Sequence, residues 1–173
     1  FLCMFLLHGS LWLAIKSTGS LQTRAVASAT FLWPLMLVLL VVFLVLTALY
    51  TKLYANYLAM PVLFVLPLLA LGGLVGARVM LGAGKLWLAW ACSAVFILGV
   101  TFFGVAGMFP GMIISSIDPA ATITAFNGAS SQLTLKIMLG VALVMVPIVL
   151  AYQFWLYKTF SAPVTDEDLK DEH

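Results

Sequence analysis

Charge is what this sequence has least of. Asp, Glu, Lys and Arg make up 8% of its 173 residues, against roughly 25% in a soluble domain. So few polar groups cannot clothe a water-facing surface. There is no basic tract, and the net charge is only +2, so nucleic acid is not a partner. Cysteine is nearly absent too. Cys3 and Cys92 each lie in apolar sequence, with no CxxC spacing and no histidine at ligand distance. That excludes a disulfide framework and a structural metal site, and leaves two small buried hydrophobes. Histidine occurs only at positions 8 and 173. No Ser–His–Asp set and no paired catalytic carboxylates can be assembled. Gly82 and Gly84 fall in a short helix hairpin, not in a phosphate-binding loop. On its own, this chain should catalyse nothing.

What the sequence has instead is length without polarity. Hydrophobic residues are 64% of the total. Four apolar runs, Phe31–Tyr50, Met60–Ala77, Leu86–Phe109 and Ile137–Tyr157, carry no charge at their centres. A bilayer core about 30 Å thick needs roughly 20 apolar residues in a helix. A water-exposed helix of that length would show a polar stripe, and none is present. The fold class is therefore all-α integral membrane: about four full transmembrane helices plus one partial N-terminal helix.

The spacing predicts a first helix to about Ile15, a polar connection Lys16–Ala27, and a second helix from about Ser28 to Tyr50. Pro34 would then lie in that helix's first two turns, where proline is best tolerated. Tyr50, Tyr54 and Tyr57 cluster at the next link and mark a membrane edge. A third helix covers about Met60–Met80, with Pro61, Pro67, Gly72, Gly73 and Gly76. The short link Leu81–Lys85 makes an antiparallel hairpin with a fourth helix, Leu86–Phe109, entered by Trp87 and Trp90. Pro110–Gln132 is the longest break, rich in Pro, Gly and Ser. A fifth helix runs from about Leu133 to Tyr157, with Pro147 inside it. In domain terms, 1–160 is a transmembrane bundle and 161–173 a polar acidic tail. Phe1–Ile15 is too short to span and has nothing basic before it. It reads as the end of a helix that starts earlier, and the chain as the C-terminal part of a longer protein.

Basic residues set the orientation. Lys16, Arg24, Arg78, Lys85, Lys158 and Lys170 fall on one side, and Lys52 and Lys136 on the other. The first side is cytoplasmic, tail included, and the Pro110–Gln132 loop is outside.

Three segments carry a family likeness: HGSLWLAIKSTGSLQTRA from His8 to Ala25, GMFPGMIISSID from Gly107 to Asp118, and NGASSQLTLKIM from Asn127 to Met138. In order, spacing and hydropathy they resemble subunit II of the cytochrome bd quinol oxidases. Ser17 and Thr18 follow Lys16 where the family has a single Thr, and Gly128 interrupts its Asn-Ala-Ser-Ser wording. The resemblance implies an eight-helix subunit, of which this chain is the end of the fourth helix and the remaining four. It also implies a bacterial inner-membrane location and an oxidase that takes electrons from quinol and reduces dioxygen to water. The partner would be a haem-bearing subunit I holding haems b and d, with no cofactor held by this chain. Subunit II would support assembly and haem-subunit stability, and help line a proton or oxygen route. Membrane lipid and quinol are further partners. A small single-helix subunit and a bound quinone stay open.

The candidate site residues are His8, Asp118, Asn127, Ser130, Ser131 and Lys136. His8 is the intramembrane histidine, suited to proton movement or to a hydrogen bond across helices. Haem ligation by it is disfavoured, since the resemblance implies ligands elsewhere. Asp118 and Lys136 flank the outer loop and either pair or stand as hydrated interfacial charges. Ser130 or Ser131 can cap the fifth helix. Asn127 and either serine could instead bond a quinone or a proton-exit water. Gly72, Gly73 and Gly76 offer gaps for oxygen. Two rival readings are half of a multi-helix transporter, suggested by Pro67 with Gly72 and Gly73, and a structural scaffold of another membrane complex.

Overall fold

A computed structural model describes residues 1–115 and 117–163. The acidic tail Asp166–Glu172, with Lys170 and His173, lies outside the described residues. Phe1–Met108 and Phe109–Ala162 form two compact units.

The first unit contains α1 (Leu2–Lys16), α2 (Gly19–Tyr50), a short α3 (Tyr54–Ala59), a 3-10 turn Pro61–Phe64 leading into α4 (Val65–Gly82), and α5 (Leu86–Met108). The second contains β1 (Gly111–Ile113), β2 (Ile123–Thr124) and α6 (Gln132–Thr159). Among the described residues, four helical spans are long and apolar enough to cross a bilayer: Gly19–Tyr50, Pro61–Gly82, Leu86–Met108 and Gln132–Thr159. The protein is an all-α multi-pass membrane chain, with α1 as a shorter apolar helix.

α4 and α5 make the most extensive pairing, and α1 packs on both α2 and α5. The core between them holds Met4, Leu7, Leu11, Met36, Leu40, Leu74 and Phe96. Small residues let α4 and α5 touch through their backbones. A Cβ at Gly73 would stand 2.5 Å from Phe96 N and 2.7 Å from Cys92 O, and one at Gly99 would stand 2.6 Å from Ala70 N. The α4–α5 turn closes by a defined device. Gly84 adopts φ +71°, Lys85 N donates to Met80 O at 2.9 Å, and Gly84 N donates to Leu81 O at 3.1 Å. This pair of bonds satisfies the last helical carbonyls and needs a residue free to take positive φ.

One expectation is corrected, with a consequence for Pro34, and two linking segments prove to hold structure of their own. The segment Lys16–Ala27 is not a connection. Only Ser17 and Thr18 leave the helix, both extended, before α2 starts at Gly19. The polar stretch stays helical: Thr23 and Ser28 bond back to the carbonyls of Gly19 and Arg24 at 3.1 and 3.0 Å. Pro34 consequently lies in the middle of α2 and not in its first two turns. The link after Tyr50 folds into α3, whose side chains bond to α5. The long break forms a small antiparallel hairpin, Gly111 opposite Thr124 and Ile113 opposite Ile123, with an irregular register.

Candidate functional site

Two polar clusters of the first unit lie along α5. One is built by α1 and α5. His8 Nδ1 lies 2.7 Å from Ser93 Oγ, a contact spanning 85 positions of sequence. Ser93 Oγ donates to Trp90 O at 2.7 Å. The imidazole stacks on the Trp90 ring, with centroids 5.1 Å apart and planes at 28°. Trp12 leans on Trp90 at 5.4 Å and meets Trp87 edge-on at 5.9 Å. Lys16 Nζ sits 5.2 Å from the Trp12 ring centre, an attraction of cation to ring face. His8 is half-buried and Ser93 is 2% exposed. Trp12 thus links Lys16 to Trp90, on whose ring the imidazole stacks.

The second place is the far end of α5. Asn56 Nδ2 donates to Ala106 O and Gly107 O, each at 3.1 Å. These are carbonyls of the last helical turn, which has no helical donors of its own. Tyr57 is fully buried, and its hydroxyl donates to Phe103 O at 2.7 Å. Tyr54 OH reaches Leu44 O at 3.3 Å. Burial pushes both phenols above their usual value, and for Tyr57 the neighbouring Tyr54 adds to the rise. α3 therefore caps α5 from outside the membrane span.

The remaining candidates lie in the second unit and serve local structure. Asp118 is exposed, and its Oδ1 accepts Ala120 N at 2.9 Å, turning the chain into the Pro119–Ala121 helical turn. Among the described residues no ion pair joins it to Lys136, which is also exposed. Asn127 closes the hairpin: its Oδ1 accepts Thr124 N at 2.6 Å, and its Nδ2 donates to Thr122 O at 2.9 Å. Ser131 is the N-cap of α6, accepting Thr134 N at 3.3 Å. Ser130 is exposed beside it.

The gaps expected at the α4 glycines are largely filled. α5 backbone occupies the space at Gly73, and Cys92 Sγ lies 3.0 Å from a Cβ at Gly76, while Gly72 faces open space. Among the described residues no three of His, Cys, Asp and Glu come together as a metal-binding group. Ser93, Trp90 and Asn56 are the residues that sequence reasoning did not assign. A serine deep in an apolar helix, one turn after a tryptophan, was the available signal.

Residues 1–160 match the family model described as cytochrome bd terminal oxidase subunit II. The chain is similar to the cytochrome bd-I ubiquinol oxidase subunit 2 of Escherichia coli, 34% identical over 117 residues covering 66% of this chain and 30% of that protein. It is similar to a probable cytochrome oxidase subunit 2 of Haemophilus influenzae, 34% identical over 60% of this chain and 28% of that protein. The cytochrome bd ubiquinol oxidase subunit 2 of Bacillus subtilis is 26% identical over 93% of this chain and 47% of that protein. The chain thus spans less than half the length of each of these relatives.

Proposed function

The chain belongs to the cytochrome bd terminal oxidase subunit II family, and we propose that it works as the non-catalytic membrane partner of a haem-bearing subunit I in a quinol:oxygen oxidoreductase. The family match over residues 1–160, falling on four long apolar helices, carries this reading. Haems b and d, in this reading, belong to the partner and pass electrons from quinol to dioxygen. The present chain supplies packing area. Apolar side chains such as Leu39, Val42, Leu68 and Leu98 stand exposed on α2, α4 and α5. Such faces suit lipid on one side and a large apolar protein surface on another. Covering subunit I in this way would keep lipid from the haem region and hold the assembly together. Lys16, Arg24, Arg78 and Lys85 would lie at the cytoplasmic surface, with the tail, against anionic headgroups.

The test is the purified assembly. An affinity tag on this polypeptide should bring down a larger subunit and the absorption bands of b- and d-type haem, with quinol-driven oxygen uptake. A tagged chain recovered without haem would overturn the reading.

A further inference from the structure

We draw no further inference here: the strongest candidate, the apolar cleft between α2 and α4 lined by Leu40, Leu44, Pro67, Leu71, Val100 and Phe103, carries nothing, because nothing in the structure shows what covers it in a chain that spans less than half the length of its relatives.

Discussion

Gly72 and Gly73 are neighbours in one helix, yet the same substitution should move them in opposite directions. A Cβ at Gly73 would lie 2.5 Å from Phe96 N and 2.7 Å from Cys92 O. Ordinary contacts begin near 3.5 Å, so α4 and α5 would have to part by about 1 Å. The atoms struck are backbone and cannot swing aside. Such a gap forfeits a quarter to a half of each facing contact. Overpacking of this kind costs about 1–3 kcal/mol, and a rigid neighbour puts Gly73→Ala near the top of that range. The better helix propensity of alanine, about 1 kcal/mol, offsets part of it, leaving a net loss of about 2 kcal/mol. Gly72 has nothing within 4 Å of its Cβ position, so Gly72→Ala keeps only the propensity gain of up to about 1 kcal/mol. The two variants should differ by about 3 kcal/mol, or roughly 6–12 °C in melting midpoint for a chain of this size. Fluorescence-detected size-exclusion melts of the detergent-solubilised assembly can read such a difference. Equal midpoints, or a lower midpoint for Gly72→Ala, would refute the claim that backbone contact at Gly73 sets the α4–α5 distance.

Two further expectations follow from capping. Because the folded protein raises the Tyr54 and Tyr57 pKa values, it holds those protons more tightly than the unfolded chain does. Their contribution is fully present below the unfolded value near 10 and is lost as pH rises through the folded values. Melting midpoints should therefore fall above about pH 10, and fall less steeply in Tyr57→Phe; parallel curves would contradict this. At the start of α6, Ser131→Ala should cost about 1 kcal/mol and speed hydrogen exchange of the Thr134 amide, whereas Ser130→Ala should leave both unchanged.

The membrane class and the main helices were legible because bilayer thickness imposes its own ruler on the sequence. Uncharged runs such as Leu86–Phe109 end within a residue or two of where α5 does. The failures came where that ruler stops applying. At Lys16–Ala27 polarity was mistaken for a break, although headgroups solvate a helix as readily as a loop. In Pro110–Gln132 turn residues hid a two-stranded pairing too short to show alternation. The His8–Ser93 contact joins residues 85 positions apart, and no local pattern announces it. Ser131 was legible as a helix cap, as the pattern before the fifth helix implies, whereas the partners of Asn127 follow only from the hairpin's geometry.

The length of α2 has a mechanical consequence. Its 32 residues measure about 48 Å at 1.5 Å each, some 18 Å more than the hydrocarbon slab. The surplus is graded: apolar from Phe31 onward, mixed around Ala27–Thr30, polar toward Gly19. When the surrounding bilayer thins or thickens by a few ångströms, the waterline can slide along this gradient without stranding a charge in oil or a leucine in water. Mismatch that costs fractions of a kcal/mol per ångström elsewhere is absorbed here by one helix acting as a float.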